Sequence, residues 1–269
     1  MKPIVSMTKM INPRKYGNGP FTLVTVHGGP GAPGEMAPVA RELSGIKGVL
    51  EPLQTASSID GQVKELLNIL TKHATFPVCM IGHSWGAWLI YIFAVRHPSL
   101  VKKLILVGSA SFEGSHANNV RETRMGRLTK DERHELESIE LSLNRHGVKI
   151  KPEALTRFEH LICKADSFAP LAVTSEIVRF QPGLFQKVWA EAEVLRKSGA
   201  LLKIGKQLQC PVIAIHGTFD PHPIEGVNGP LSKVIKDLRC IALERCGHYP
   251  WLEKYARDRF FEILYMEIQ

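Results

Sequence analysis

The sequence predicts a mostly parallel α/β sheet flanked by helices, with a helical segment inserted between its later strands. Short apolar runs of strand length alternate with longer segments of helical period, which is the sequence form of a parallel sheet covered by helices. One of those helical segments, Trp85-Gly-Ala-Trp-Leu-Ile-Tyr-Ile-Phe-Ala-Val, is apolar nearly all round and so belongs in the middle of a fold. The alternation then breaks over residues 112–203, which carry helix signals but no convincing strand.

Taken in order, the strand-like runs are Phe21 to Val26, Val49 to Leu53, Val78 to Ile81, Leu104 to Val107, Val212 to Ile215 and Leu238 to Leu243. Helices are expected to begin near Gly34, Ser58 and Trp85, within Pro223 to Leu231, and near Tyr249. Inside the break, Thr129-x-x-Glu132 is a capping box that opens a helix, because each residue's side chain can satisfy the other's backbone N–H. Pro152 stands at the first-turn position of a further helix running to Ala165, where its missing N–H costs nothing. Residues 1–111 and 204–269 are therefore expected to form one core, with 112–203 as a helical insertion.

The length of 269 residues allows one large α/β domain with an insertion or two modest domains. Hydrophobic residues at 44% and charged residues at 22% exclude disorder as the main state and supply a core that needs no disulfide or metal staple. The net charge of +8 comes from 34 basic and 26 acidic residues without any block of five or six like charges. It reads as a solvated surface, and no nucleic-acid partner is expected. Five cysteines (Cys79, Cys163, Cys210, Cys240, Cys246) are an odd number without framework spacing, which points to a reducing compartment. The N-terminal stretch has no leader-like apolar run and nothing downstream is long enough to span a membrane, so a cytoplasmic, unanchored protein is expected.

The sharpest chemical signal is Gly82-His83-Ser84-Trp85-Gly86, which joins the strand at Val78 directly to the apolar helix. A Gly-x-Ser-x-Gly between strand and helix forces a tight turn whose crowding the glycines relieve, and it presents the serine hydroxyl beyond the sheet edge. A serine here also suits a helix N-cap. A hydroxyl is a poor nucleophile at neutral pH and needs a base with a carboxylate to orient it. Asp220, in Asp220-Pro-His222-Pro, follows the strand Val212 to Ile215, and His248, in Cys246-Gly-His248, follows the next strand. The chain order Ser84, Asp220, His248 is that of an elbow-type nucleophile system. An oxyanion needs two donors: the Trp85 N–H is one, and the glycine turn His27-Gly28-Gly29-Pro30-Gly31 offers Gly29, or less favourably Gly28, as the second.

Other readings compete for these residues. Gly29-x-Gly31-x-x-Gly34 overlaps the dinucleotide fingerprint, but Pro30 and Pro33 remove two N–H groups that a pyrophosphate cradle needs, and Glu51 is a loose match for the acidic partner, so no cofactor is expected. His216, Asp220 and His222 form the densest candidate metal group, yet no His-Glu-x-x-His or paired cysteines accompany them, and no metal is expected. His27, Gly28 and His83 flank the proposed site and are candidates for substrate contact, although the turns they occupy already explain their position. Aromatic residues such as Trp88, Phe180 and Trp189 suit a pocket wall or a core. Glu176, Glu191 and Glu193 are the insertion carboxylates available to an ammonium group.

Together His27-Gly-Gly-Pro-Gly31, Gly82-His-Ser-Trp-Gly86, Asp220-Pro-His-Pro and Gly247-His248 resemble the α/β-hydrolase superfamily in its proline iminopeptidase-like branch, over about residues 20–111 and 204–269. The resemblance implies a sheet of that family with residues 112–203 as a helical cap. It implies Ser84 as nucleophile, His248 as base, Asp220 as its orienting acid, and Gly29 with Trp85 as oxyanion donors. The expected activity is a cofactor-independent serine hydrolase that cleaves a small-molecule ester or amide, or a short peptide, through an acyl-enzyme. Proline iminopeptidase activity and a ligand-binding receptor with little turnover are the alternatives. Ala32-Pro33 and His83 depart from the residues usual in that branch, so the substrate is not fixed by the resemblance.

Overall fold

The computed structural model describes residues 11–114, 119–144, 151–172 and 181–269. Seven strands form one sheet in the order β1-β3-β2-β4-β5-β6-β7. They are β1 (Arg14–Tyr16), β2 (Phe21–Val26), β3 (Gly48–Glu51), β4 (Val78–His83), β5 (Val101–Val107), β6 (Val212–Gly217) and β7 (Leu238–Leu243). All neighbours pair in parallel except β1, which runs antiparallel to β3. The parallel crossovers are made by helices α1 (Ala37–Leu43), α2 (Ile59–His73), α3 (Trp85–Arg96) and α9 (Glu225–Ser232), and α10 (Arg257–Glu267) closes the chain.

Alternation along the strands sorts the core into two layers. Val78 and Met80 of β4 with Leu104 and Leu106 of β5 face the layer built with α2 and α3. Cys79 and Ile81 with Ile105 and Val107 face the opposite layer, filled by α1 and α10. Every residue of α3 from Trp85 to Ala94 is buried, as its uniformly apolar sequence demands. α2 is by contrast amphipathic and opens on Ser58, whose side chain accepts from the Gly61 N–H.

Three differences from the sequence reading have identifiable physical causes. β1 is short and polar, and long-range contacts hold it: Tyr16 and Arg14 both reach the buried Glu51 carboxylate, the tyrosine hydroxyl at 2.7 Å. β3 stops at Glu51 because Pro52 has no N–H to donate to a ladder. α1 starts at Ala37 and not near Gly34, because the chain first passes through a left-handed turn at Gly34 (φ +96°).

Between β5 and β6 the described chain contains α4 (Val120–Gly126), α5 (Lys130–Asn144), α6 (Pro152–Asp166), α7 (Pro182–Lys197) and α8 (Ala200–Lys203), and no strand. The capping box forms reciprocally, with Thr129 N–H donating to the Glu132 carboxylate at 3.0 Å and Glu132 N–H donating to Thr129 Oγ1 at 3.3 Å. Leu128, Leu136, Leu161 and Ala165 make a separate small core among these helices. α7 instead joins the main core through Val188 and Ala192, and its Trp189 stacks on Trp88 with centroids 5.7 Å apart. Phe180 lies outside the described residues. No described helix is long and apolar enough to cross a membrane, and the five cysteines are free thiols.

The centrality of α3 has a measurable consequence. Phe93→Ala empties a fully buried site in its middle and should lower unfolding free energy by about 3–5 kcal/mol. Met266→Ala on exposed α10 surface should change it by less than ~0.5 kcal/mol, both read from urea midpoints.

Candidate active site

The strand-to-helix turn after β4 is built as its glycine spacing predicts. A Cβ on Gly82 would overlap the Gly86 carbonyl, and one on Gly86 would overlap the Val26 carbonyl of β2, so both positions need glycine for the backbones to pass. Between them Ser84 takes φ 52° and ψ −113°. That conformation costs a non-glycine residue on the order of 1–3 kcal/mol and persists only where its surroundings enforce it. Ser84 stands at the N-cap of α3, yet its side chain makes no capping hydrogen bond. The residue is partly exposed, and its N–H donates to the Val107 carbonyl at 2.9 Å, fastening the turn to the end of β5.

β6 and β7 deliver the other two side chains to the same rim. His248 Nδ1–H donates to Asp220 Oδ2 at 2.7 Å, and the second oxygen of Asp220 accepts the His222 N–H at 2.8 Å. Burial pushes the Asp220 carboxyl upward, but the neighbouring His248 and His216 outweigh it and hold the group well below the usual carboxylate range. Burial likewise opposes a charge on His248, while the Asp220 carboxylate and its hydrogen bond prevail and raise the imidazole above its ordinary value. Gly108, at the end of β5, packs against this pair: a Cβ there would lie 3.2 Å from His248 Nδ1 and 3.3 Å from Asp220 Oδ2. Ser84 is bonded to the residue just before Gly108, so three strand ends bring Ser84, Asp220 and His248 to one edge. The rings of His83 and His248 are 4.6 Å apart. A Ser84–His248 hydrogen bond is absent among the described residues.

The glycine turn after β2 distinguishes its two candidate donors. Gly28 N–H is committed to Glu35 Oε2 at 2.7 Å. Neither Gly29 N–H nor Trp85 N–H has a partner among the described residues. Gly29 holds φ +87°, a conformation for which glycine is suited. His27 and His83 are both fully buried. His27 donates from Nδ1 to the Gly28 carbonyl at 2.9 Å and accepts the Gln54 N–H at Nε2, and burial lowers its affinity for a proton. His83 meets Glu35 through Nδ1 at 2.8 Å and the His248 carbonyl through Nε2 at 2.9 Å. Both rings thus spend their nitrogens on the protein's own groups.

Two features escaped the sequence reading. Glu35 is one, a carboxylate just past the Pro33-Gly34 turn whose only sequence signal is an acidic residue between two buried strands. The other is a set of contacts joining the insertion to the His248 loop. Glu253 accepts N–H bonds from Gly247, Phe168 and Ala169 at 2.7–2.8 Å, while the Asp166 carbonyl accepts the His248 N–H at 2.8 Å. The Asp166 side chain is gripped by Arg124 through two bonds of 2.7 Å.

Asp220, His222 and His248 each offer an atom within 4.8 Å of the others and could converge on a cation. Two of these groups are already bonded to each other, so a metal would have to part them. His216 donates to the His222 carbonyl at 2.6 Å, which gives the histidines after β6 a turn-building use. The fingerprint-like turn at Gly31 is covered by α7, since the Gln181 N–H donates to the Gly31 carbonyl. Glu191 accepts the Ile59 N–H at 2.8 Å and Glu193 pairs with Arg196 and Lys197. Glu176 lies outside the described residues.

A family model described as alpha/beta hydrolase fold matches residues 52–255. No curated protein sequence matches the chain. Among solved structures, a meta-cleavage product hydrolase from Pseudomonas fluorescens IP01 superposes with a TM-score of 0.65 at 19% identity, over 96% of this chain and 94% of that one. Proline iminopeptidase from Mycobacterium smegmatis gives 0.62 at 18% identity, over 95% and 93%. An N-acyl homoserine lactone degrading enzyme gives 0.64 at 15% identity, over 94% and 95%. At these identities the likeness is one of fold.

The Asp220–His248 pair makes a signed prediction. In Asp220→Asn the burial of His248 remains while the attraction is gone, so its imidazole should titrate at lower pH than in the wild type, read by NMR. Because His248 is raised, its share of stability is present below the ordinary 6.5 and fades as pH rises through the folded value. Because Asp220 is depressed, its share is present above 3.8 and fades as pH falls toward the folded value. The stability lost in the variant should therefore peak between those two ordinary values.

Proposed function

The chain belongs to the alpha/beta hydrolase fold family, and on that premise we propose that it is a cofactor-independent serine hydrolase cleaving a small-molecule ester or amide through an acyl-enzyme. One observation carries the reading: a strained, uncapped serine at a strand-to-helix turn shares its sheet edge with a buried histidine bonded to a carboxylate at 2.7 Å.

In this mechanism His248 Nε2 takes the Ser84 hydroxyl proton as Oγ bonds to the substrate carbonyl carbon. Asp220 fixes the Nδ1–H tautomer and stabilises the imidazolium that results. The carbonyl oxygen becomes an oxyanion held by the N–H groups of Gly29 and Trp85, each worth about 3–4 kcal/mol of barrier. Trp85 adds the favourable potential of the N-terminus of α3. Collapse expels the alcohol or amine, which leaves with the proton from His248. Water then gives a proton to the same histidine as it attacks the acyl-enzyme, and the acid departs as Ser84 recovers its hydrogen.

Residues 112–203 act in this reading as a cap over the rim. α7 touches the glycine turn, and the end of α6 is bonded to the His248 loop. A proline iminopeptidase needs a carboxylate for the substrate's ammonium group. Of the candidates for that role, Glu191 and Glu193 are engaged elsewhere and Glu176 lies outside the described residues.

Ser84→Ala should abolish labelling by a fluorophosphonate probe and lower turnover by at least about 10⁴-fold, with the far-ultraviolet circular dichroism unchanged. Labelling of the variant at wild-type stoichiometry would overturn the assignment. A panel of short esters, lactones and aminoacyl amides run on both proteins separates the substrate classes.

A further inference from the structure

Glu35 and His83 take no part in the proton transfers above, yet they sit directly behind the nucleophile. Glu35 Oε2 accepts two hydrogen bonds, from Gly28 N–H at 2.7 Å and from His83 Nδ1–H at 2.8 Å. The other ring nitrogen of His83 meets the His248 carbonyl oxygen at 2.9 Å. A carboxylate and a carbonyl both accept, so each ring nitrogen of His83 faces an acceptor, and the ring bridges Glu35 and the loop that carries His248. Burial pushes the Glu35 carboxyl up, but His83 and the Gly28 N–H prevail and keep it ionised. The ring is walled by Trp251 edge-on at 4.7 Å and by Tyr249 at 5.2 Å.

This pair touches three pieces of the site at once. His83 is the last residue of β4 and precedes Ser84. Its Nε2 holds the carbonyl of the residue that carries the base. Through Glu35 it also holds Gly28, whose own carbonyl is bonded to His27 Nδ1 at 2.9 Å. In a trans peptide the carbonyl and the following N–H point in opposite directions. Fixing the Gly28 carbonyl toward His27 therefore aims the Gly29 N–H the other way, out of the turn. The packing leaves little slack, since a Cβ on Gly28 would lie 2.8 Å from Glu35 Oε2 and 3.0 Å from Ser84 Cβ.

We propose that the hydrogen-bonded Glu35–His83 pair is a positioning device that locks the oxyanion turn and the base loop to the end of the nucleophile strand. Glu35 and His83 are positioning residues here, with no contact to substrate. A carboxylate held out of water is poor value as a stabiliser, because its desolvation offsets much of what its hydrogen bonds supply. Its effect should therefore be larger on turnover than on folding. The inference rests on the serine hydrolase reading, and its test is arranged to separate the two.

The wild type is first labelled with a fluorophosphonate and assayed on the ester that it turns over fastest. Absence of labelling and turnover there would overturn the hydrolase reading and this inference with it. With an active wild type, Glu35→Gln keeps the size of the side chain and removes the charge. It should lower kcat about 10–100-fold and slow labelling in proportion, with KM within about twofold and full final stoichiometry. His83→Asn keeps a donor toward Glu35 and loses the bond to His248; it should also lower kcat, and the double variant should be no worse than the poorer single one. Unchanged kcat and labelling rate in Glu35→Gln, or additive losses, would overturn the device while leaving Ser84 as nucleophile. Should either variant fold poorly, Glu35→Asp decides the matter, because it keeps the carboxylate and shortens its reach: kcat should fall with KM within about twofold, and an unchanged kcat would overturn the proposal.

Discussion

The close passage of α3 across the end of β2 is the constraint from which the rest of the site follows. With only a hydrogen at Gly86, the helix backbone lies against the Val26 carbonyl, and with only a hydrogen at Gly82 the strand leads into the helix without an intervening loop. Nothing larger fits at either position. The chain must reverse within one residue, and that residue is Ser84, forced to a positive φ. The same passage points the first helical N–H groups at the rim and seats the β2 turn beside the serine. Helix burial supplies the energy that holds the strained residue, since α3 is enclosed along nearly its whole length.

Around this fixed turn the other groups are arranged by strand order. β5 lies next to β4, and β6 and β7 follow, so loops after these strands open on one edge. Parallel pairing is what makes this possible, because it puts the carboxyl ends of successive strands side by side. Asp220 and His248 are 28 residues apart in sequence but neighbours in space, as the ends of adjacent strands must be. Gly108 completes the arrangement by leaving room for both on the flank of β5.

What the sequence disclosed and what it concealed divide along the range of the interactions. Apolar alternation is a local signal, and β2 and β7 begin and end where it says. The Thr129 capping box and Pro152 at the start of α6 are equally local, and both form. The glycines at 82 and 86 were legible because two close backbone approaches leave a fixed spacing. β1 was not legible, since three partly polar residues become a strand only through β3 and the Glu51 carboxylate. Glu35 and Glu253 were hidden for a related reason. A single acidic residue in a turn looks the same in sequence whether it meets water or several backbone N–H groups, and periodicity carries no trace of partners 48 or 85 residues away.

Those hidden carboxylates share a logic. Glu253 is buried and Glu35 nearly so, and each spends oxygens on backbone N–H groups or on a ring behind the rim. Glu253 gathers three backbone donors from two segments, Gly247 on one side and Phe168 with Ala169 on the other. The His248 loop is thereby fastened to the end of α6 by groups with no freedom to rotate. Asp166 continues the chain of contacts, giving its carbonyl to His248 N–H and its carboxylate to Arg124 on α4. A displacement of the α4–α6 helices relative to the sheet would therefore have to break charge-assisted bonds in a medium where unpaired groups are costly. The base loop is thus tied to the end of α6 at two points, through the Glu253 carboxylate and through the Asp166 carbonyl that accepts the His248 N–H.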